Sequence, residues 1–209
     1  MTYSTKVASY LSGVTVSQLH RLAKKSLLTG EFSTPSQRQY SFRDVIALRT
    51  IAKLRASHSM QSVSAAVAYA QSLYPEDHLS TITLLSDGKE IFAYEPDSEE
   101  LIAALRQQGQ FAIPDLGNIL DAFTNFDHRV VPNLLEPAKG IQVDKDRLGG
   151  VPTIAGTRIP YDLVVDLSTD MDPEEIHEWY DSVEPHQVQF ALDFDRAIED
   201  NARSQKGAA

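Results

Sequence analysis

The chain has 209 residues, 42% of them hydrophobic, with no cysteine and a formal net charge of −10. This length suffices for a sizeable hydrophobic core, in one large domain or about two to three small ones. The lack of cysteine excludes disulfides, thiolate metal sites and cysteine catalysis. Because no apolar run reaches the ~18–20 residues that span a bilayer, and the N-terminus does not fit a signal peptide, we expect a cytoplasmic protein with no membrane partner.

The charge of the chain is divided between its two ends. Residues 1–72 contain nine Lys or Arg and two acidic residues, a formal charge of +7, and 10 bases against 27 acids leave −17 for residues 73–209. A basic segment suits a polyanion such as DNA, because binding releases condensed counterions. The acidic segment would be repelled by the same polyanion and therefore suits a protein partner.

The basic segment begins with two predicted helices, over residues 6–12 and 16–25, which are separated by a turn at Gly13. Thr15 and Gln18 form the T-x-x-Q pattern of a capping box, which predicts where the second helix starts. Two short helices joined at a glycine turn make a helix-turn-helix unit, whose second helix enters the major groove of DNA.

The outward face of the second helix carries side chains that donate hydrogen bonds or carry positive charge. Gln and Arg are suited to reading the edges of adenine and guanine. The polar segment 30–40 predicts a two-stranded wing, with Arg38 and Tyr40 placed near phosphates at its exit. The alternative interpretation is a solvated basic face on an ordinary amphipathic helix. The predicted DNA contacts are Ser17, Gln18, His20, Arg21, Lys24, Lys25, Arg38, Tyr40 and Arg43.

Two further helices complete this first domain. One is predicted to start at Ser41 or Phe42, and the other to cover residues 60–72. The apolar positions of the third helix follow helical spacing and predict a buried stripe of Val45, Leu48, Ile51, Ala52 and Leu54.

The segment resembles the winged helix-turn-helix of MerR-like regulators. The likeness is carried by the paired leucines Leu27 and Leu28, the Arg38-x-Tyr40 wing exit and the Phe42-x-Asp44 opening of the third helix. Ser26 replaces the usual Gly, His20 stands where Arg is common, and the coiled-coil helix and metal-binding cysteines of the metal sensors are missing. The resemblance therefore implies DNA binding and does not imply metal sensing.

Residues 73–139 are predicted to form a small connecting α/β unit. The β-rich runs TITLL and EIFAYE flank residues 86–89, whose Asp-Gly pair is a strong hairpin signal. Helices are predicted over residues 97–109 and 116–123. We interpret this unit as a spacer or as the dimerisation element of a homodimer.

Catalytic and metal-binding patterns are lacking in the sequence. Asp121, Asp127 and His128 have an irregular spacing, so a solvated loop is favoured over a metal site. The six histidines form no H-E-x-x-H motif, and neither a G-x-S-x-G elbow nor a P-loop is present. We expect no enzymatic activity, no metal and no cofactor.

Residues 140–209 predict a short strand at Thr153 and Ile154, followed by three helices. The first helix is predicted over residues 160–167. The second opens with the cap Asp172, then Pro173, and Glu175 completes a capping box. The third covers residues 185–201. Its predicted buried positions are Val188, Ala191, Leu192, Ala197 and Ile198.

The pattern GG-x-P-x-I-x-GTRIP occupies residues 149–160 without a gap. It closely resembles the small antitoxin-associated family called domain of unknown function 433. That resemblance implies a three-helix, homeodomain-like module, and family members are commonly encoded beside a PIN-like ribonuclease toxin. Together with the MerR-like N-terminus, the layout resembles a VapB-type antitoxin of a type II toxin–antitoxin pair.

The Gly156-Thr157-Arg158 motif has two interpretations. Arg158 could bind a phosphate near the glycine turns, or Thr157 and Arg158 could tie the loop to helix carbonyls. A phosphate cradle needs a glycine-rich loop that feeds a helix N-terminus with a nearby Lys, and no Lys follows here. We therefore favour the structural role for this motif.

The whole pattern predicts a mainly α protein with small β elements, an α+β fold. Its three domains are a winged helix-turn-helix (1–72), a connecting unit (73–139) and a toxin-binding module (140–209). The leading hypothesis is an antitoxin that binds operator DNA as a homodimer and neutralises a PIN-like ribonuclease toxin. Because such nucleases hold Mg²⁺ with carboxylates, we expect a cation to reach that acidic pocket, with steric cover as the rival mechanism. The predicted toxin contacts are Arg196, Arg203 and Lys206.

Two other functions are considered. A stand-alone MerR-like regulator would sense a small molecule beyond residue 73, where Phe92, Tyr94, Phe123 and Phe126 could line a cage. A nuclease activity of the chain itself has no support beyond abundant acidic residues. The protein encoded by the adjacent reading frame would separate the antitoxin from the stand-alone regulator.

Overall fold

The computed structural model describes residues 2–86, 91–94 and 119–206, and over these ranges the α+β prediction is confirmed. The short strands form two-stranded antiparallel sheets, and the helices contribute most of the buried core residues. Within these ranges no helix is both long enough and apolar enough to cross a membrane.

The N-terminal elements are β1 (Tyr3–Ser4), α1 (Thr5–Ser12), α2 (Val16–Lys24), β2 (Gln39–Tyr40), α3 (Phe42–Arg55) and α4 (Met60–Leu73). The middle of the chain contributes β3 (Thr83–Ser86), β4 (Ile91–Tyr94), β5 (Phe123–Thr124) and β6 (Val130–Val131). The C-terminal elements are β7 (Ile141–Gln142), a 3₁₀ turn (Leu148–Gly150), β8 (Thr153–Ile154), α5 (Tyr161–Leu167), α6 (Pro173–Trp179) and α7 (Pro185–Lys206).

The helix-turn-helix is set by two local signals. Gly13 ends α1 in the left-handed conformation, with φ 77°, and its N–H donates to the Ser9 carbonyl. A Cβ at this position would lie 2.3 Å from Val131 Cγ2, so both the φ angle and the space require glycine. The Thr15 and Gln18 capping box then starts α2, as predicted.

The predicted two-stranded wing is wrong. β2 pairs instead with β1, in the register Tyr3 to Tyr40. Between the helices, Thr34 N–H donates to the Gln37 carbonyl at 2.7 Å, and Ser33 Oγ bonds both the N–H and the carbonyl of Gln39. These bonds engage backbone N–H and carbonyl groups that would otherwise pair two strands of a wing. The segment therefore forms a turn stabilised by Ser and Thr.

Helix α3 starts at a Ser41 and Asp44 capping box, and its predicted buried stripe is confirmed. The sequence reading missed Arg49, which is fully buried. Its guanidinium donates to backbone carbonyls at 2.5–3.3 Å, those of Leu11, Ile119, Leu120, Asp121 and Pro132. Arg49 therefore joins α1 to the connecting unit, and it does not contribute to a basic surface.

Burial lowers the pKa of Arg49 to about 10, and the nearby Asp121 carboxylate partly opposes this effect. The side chain remains charged at neutral pH. A buried charge is tolerated only when its hydrogen-bonding groups are satisfied, and the carbonyl oxygens around Arg49 meet that need.

The connecting unit contains the predicted hairpin, because β3 and β4 pair antiparallel. The predicted helix at 97–109 lies outside the described residues. The predicted helix at 116–123 is wrong in its described part, where residues 119–122 are not helical and Phe123 begins β5, which pairs with β6. Asn125 is the physical reason, since its Oδ1 accepts the N–H groups of Asp127 and Arg129 and stabilises a turn.

The C-terminal helices begin within one residue of their predicted starts, and the caps at Asp172 and Pro173 are confirmed. Helix α7 is longer than predicted and extends to Lys206. Phe194 is buried between α1 and α5, with edge-to-face contacts to Tyr10 at 5.7 Å and Tyr161 at 4.7 Å. The C-terminal module therefore packs directly on the first helix of the helix-turn-helix.

Candidate nucleic-acid interface

Helix α2 presents a polar and basic face to solvent because its apolar side is anchored. Leu19 and Leu22 are buried in the core, which fixes the rotation of the helix. The predicted contacts on the opposite side are therefore accessible. The exposed residues are Ser17, His20, Arg21, Lys24 and Lys25.

Two of the predicted contacts, Gln18 and Arg21, already have partners at the start of α2. Gln18 Oε1 accepts the Thr15 N–H at 3.0 Å, so only its amide NH₂ is available to donate to a ligand. The Arg21 guanidinium makes two long bonds of 3.4 Å to Ser17, one to its carbonyl and one to its hydroxyl. Such exposed bonds are weak, so Arg21 can exchange them for a phosphate or a base edge.

The structure separates the other three predicted DNA contacts, which are Arg43 and the two residues of the predicted wing exit, Arg38 and Tyr40. Arg43 is exposed on the first turn of α3. Tyr40 is fully buried, because the β1–β2 pairing turns its ring into the core beside Tyr3, so its predicted phosphate contact is wrong. Arg38 is half-buried. Burial raises the pKa of Tyr40, and the Arg38 guanidinium partly opposes that rise.

A surface cleft of about 540 Å³ extends the basic face toward α4. It combines three cations with amide and hydroxyl groups, and its lining residues are Gln18, Arg21, Leu22, Lys25, Arg55, Met60, Gln61 and Ser64. Arg55 is held in place by donating to the His58 carbonyl at 2.8 Å and by stacking 4.0 Å from the Phe126 ring centre. Cations and neutral donors at one cleft suit a phosphate backbone.

Sequence reasoning missed Arg55, Gln61 and Ser64. Arg55 was visible only as one cation of the basic segment, and Gln61 and Ser64 as polar positions near the start of the fourth helix. Their proximity to α2 depends on how α3 and α4 pack, which local patterns do not encode.

Glu31, Asp44 and His78 form the one group of potential metal ligands found in the described part of the chain, with ligand atoms within 4.8 Å of one another. The sequence reading expected no metal and missed this group. Ser80 N–H donates to His78 Nδ1 at 3.1 Å, so Nδ1 acts as an acceptor and Nε2 is the nitrogen that donates to Asp44 at 3.1 Å. A metal-bound histidine normally donates from its second nitrogen, so this bonding fits a structural role.

The Asp44 carboxylate is almost fully buried at the start of α3. Burial alone would raise its pKa. Hydrogen bonds from His78 and from the N–H groups of Glu31 and Ser41 outweigh burial, so the pKa of Asp44 is lowered and the carboxylate stays ionised.

The structure places the Gly-Thr-Arg motif in a loop after β8. Gly156 has φ 81°. Thr157 Oγ1 donates to the Ile154 carbonyl at 3.0 Å and accepts the Ile159 N–H, so it ties the loop to a strand rather than to a helix as predicted. The side chain of Arg158 is exposed, and it is Arg147 that donates to the Thr157 carbonyl at 2.8 Å.

The residues predicted to contact a toxin lie on α7. Arg196 and Arg203 are exposed, and each pairs with an acid one turn earlier, Asp193 at 3.1 Å and Asp200 at 3.5 Å. Lys206 is the last residue of the helix. The structure thus aligns Arg196 and Arg203 along one helix, about two turns apart.

Comparison with known proteins gives one family match and several similar proteins. Residues 141–194 match the model of a family described as "protein of unknown function (DUF433)", which confirms the likeness expected for the C-terminal module. The chain is 33% identical over 113 residues to two uncharacterized HTH-type transcriptional regulators, Rv1830 of Mycobacterium tuberculosis (strain H37Rv) and Mb1861 of Mycobacterium bovis.

These alignments cover 52% of the chain and 49% of each relative, so the chain spans about half the length of the curated relatives it matches. Among solved structures, the crystal structure of Rv2018 from Mycobacterium tuberculosis aligns with a TM-score of 0.49 and 16% identity, covering 91% of this chain and 96% of that chain.

Proposed function

We propose that this protein is a DNA-binding transcription regulator whose recognition helix is α2. The observation that carries the proposal is the exposed, donor-rich face of α2, which continues into the cleft lined by Arg21, Lys25 and Arg55. The names of the curated relatives, HTH-type transcriptional regulators, support the same assignment. The buried Leu19 and Leu22 provide the rigid backing that a groove-reading helix needs.

We further propose that the regulator is an antitoxin that represses its own operon and neutralises a co-encoded PIN-like ribonuclease. Support comes from the DUF433 match at residues 141–194 and from the acidity of the C-terminal module. The helix-turn-helix would be of the MerR-like type. A homodimer would place two α2 helices in successive major grooves, about 34 Å apart, on a palindromic operator.

The DNA assignment is tested by replacing Arg21 and Lys25 with Ala and titrating operator affinity against salt. Two lost phosphate contacts should lower affinity and reduce the slope of log K against log salt by about two. The matched control replaces Lys145 and Arg158, two exposed cations of the C-terminal region. An Arg21 and Lys25 variant that keeps the wild-type affinity and slope would exclude α2 as the recognition helix.

The mechanism of inhibition is tested separately. We propose that cations of α7, namely Arg196, Arg203 or Lys206, reach the metal-binding carboxylates of the nuclease. The Arg196→Ala and Arg203→Ala double variant should then bind the nuclease and inhibit it less completely, as measured by RNA cleavage. Full inhibition by the double variant would leave steric cover as the mechanism.

A second candidate function is a stand-alone, ligand-responsive regulator, and one observation favours it. A cleft of about 510 Å³ lies between α3, the connecting unit and residues 143–146, and its volume is in the range of small-molecule sites. Its apolar lining residues are Phe42, Ile46, Ile119, Leu120, Leu135 and Val143. Of the four aromatic residues predicted to line a cage, Phe123 lies against Arg49 and Phe126 against Arg55. The side chains of Phe92 and Tyr94 lie outside the described part of the structure. Binding of this chain to the protein encoded by the adjacent reading frame would favour the antitoxin over the stand-alone regulator.

A further inference from the structure

If the chain is the antitoxin proposed above, its C-terminal module needs a surface that binds the nuclease. Residues 159–195 contain 11 acidic residues and no Lys or Arg. They build α5, α6 and the first half of α7. The module therefore presents a surface of negative charge along this stretch, and Arg196, which pairs with Asp193, lies just beyond its end.

Trp179 lies within this acidic surface and is 78% exposed. It is the only tryptophan of the chain. Large aromatic side chains gain much from burial and are enriched among the residues that dominate protein interfaces. An isolated exposed leucine would need no explanation, but a tryptophan this exposed at the end of a helix presents a large apolar face to solvent.

The position of Trp179 is fixed by the packing of α6. Ile176 is fully buried, and the next turn is held by His177, whose Nδ1 lies 2.9 Å from the Val183 carbonyl. Glu175 is one helical turn before Trp179, on the same side of the helix. Glu175 and Glu178 are both exposed. The indole is thus held on a packed helix among carboxylates.

The negative charge of the surface around Trp179 restricts the class of partner that can bind there. Nucleic acid would be repelled, and a second copy of this surface would meet its own negative charge. A ribonuclease, in contrast, must carry Lys and Arg beside its active site, because its substrate is a polyanion. We infer that Trp179 inserts into an apolar socket on the basic, RNA-binding surface of the partner ribonuclease, with the surrounding carboxylates facing its cations.

This assignment differs from the proposed role of the α7 cations, because it accounts for binding rather than inhibition. Trp179 would supply affinity by burial. Arg196 and Arg203 would act on the catalytic carboxylates of the nuclease. Substitutions at the two sites should therefore separate affinity from inhibition.

The test measures binding of the purified full chain to the protein encoded by the adjacent reading frame. Trp179→Ala should weaken binding by about 30-fold or more, as expected for an interface hot spot. Tyr69→Ala is the matched control, since Tyr69 is 59% exposed on α4, in the N-terminal domain, and its loss should leave binding unchanged. Operator binding and circular dichroism of both variants should equal those of the wild type.

A second readout follows from the single tryptophan. A chain labelled with 5-fluorotryptophan gives one ¹⁹F resonance from position 179, and this resonance should shift and broaden when the nuclease is added. Glu174→Gln with Glu178→Gln should reduce the salt dependence of binding. Asp127→Asn with Glu136→Gln, which neutralises two exposed acids outside the module, should not.

The outcomes distinguish this inference from the function on which it rests. If the wild type binds the nuclease and Trp179→Ala binds equally well, the docking surface is elsewhere and the antitoxin proposal stands. If the wild type does not bind the nuclease, the antitoxin proposal fails together with this inference. If Trp179→Ala instead abolishes self-association in sedimentation, the occupant is a second copy of the chain, which also overturns the inference.

Discussion

Arg49 shows how a cation can serve the fold when its sequence context suggests DNA. It lies in the basic segment, yet its guanidinium is enclosed by the end of α1 and by the connecting unit. Arg49→Met should lower the free energy of unfolding by about 3–5 kcal/mol, because the buried carbonyls lose their donors. Urea denaturation measures this loss, and Arg43→Met at an exposed position is the control. A loss below about 1 kcal/mol would contradict the structural role.

The buried Asp44 carboxylate should make the stability of the fold depend on pH. Its pKa in the folded protein lies below the ordinary value of 3.8, so the ionised carboxylate stabilises the fold above that value, and this stabilisation is lost as pH falls through the folded pKa. Asp44→Asn should cost about 1–3 kcal/mol at pH 7. The variant should also lose less stability than the wild type on acidification below about pH 4.

The control for Asp44 is Asp127→Asn, which changes an exposed carboxylate. Thermal unfolding of the three proteins over a pH series gives the comparison. Parallel curves for Asp44→Asn and the wild type would show that the hydrogen bonds from His78 and the backbone do not favour the ionised form.

At the scale of elements, the sequence predicted what is encoded locally. The starts of α2 and α6 follow from the capping boxes at Thr15 and Asp172, because each box is complete within four residues. The β3–β4 pairing follows from the Asp-Gly pair that the sequence places between two β-rich runs. The predictions that failed depend on residues distant in sequence. β2 pairs with β1 across more than thirty residues, and Arg49 is buried by segments about seventy residues away.

The same distinction applies to the candidate site. The exposed face of α2 was predictable from helical periodicity and the positions of Leu19 and Leu22. The contribution of α4 to the cleft, through Gln61 and Ser64, depends on tertiary packing. The burial of Tyr40 depends on a strand partner at the other end of the domain. A local pattern therefore indicates the recognition helix but not its surroundings.

The last turn of α7 helps to cap α2, so a change in α7 should affect the start of the recognition helix. Gln205 Oε1 accepts the Val16 N–H at 2.9 Å, one of the helix-start groups without an intrahelical partner. Its amide also donates to Ser9 Oγ at 3.1 Å. Gln205→Ala should lower the free energy of unfolding by about 0.5–1.5 kcal/mol and weaken operator binding, since the start of α2 loses a fixed support.

Gln205→Glu tests whether the acceptor is the important group. A carboxylate keeps the acceptor and is favourable at a helix N-terminus, so this variant should retain operator affinity better than Gln205→Ala. Gln189→Ala, at an exposed position on the same helix, is the control for a general effect of shortening a glutamine. Equal operator affinity for all three variants would show that α7 does not position α2.

At the scale of the whole molecule, the two charge poles belong to one packed structure. The C-terminal module contacts the helix-turn-helix through an ion pair of Lys6 with Glu199, through the rings of Tyr10 and Phe194, and through Gln205. The negative module is thereby held beside the domain proposed to bind DNA. Its electrostatic field should oppose the approach of a polyanion whenever salt does not screen it.

This arrangement predicts that neutralising acids of the module strengthens DNA binding without touching α2. The variant Asp170→Asn, Glu174→Gln and Asp181→Asn changes three exposed carboxylates. Its operator affinity should exceed that of the wild type by about two- to fivefold at ~10 mM salt, where the Debye length is about 30 Å, and the difference should vanish near 1 M, where it is about 3 Å.

Fluorescence anisotropy across a salt series gives this comparison, and Asp127→Asn shows the effect of an acid outside the module. A basic partner bound over the same carboxylates should act in the same direction, so the complex should bind the operator more tightly than the free chain at low salt. Should the triple variant bind no better than the wild type at ~10 mM salt, the acidic pole does not reach the DNA surface, and any effect of the partner on operator affinity must pass through the contacts between α7 and α2.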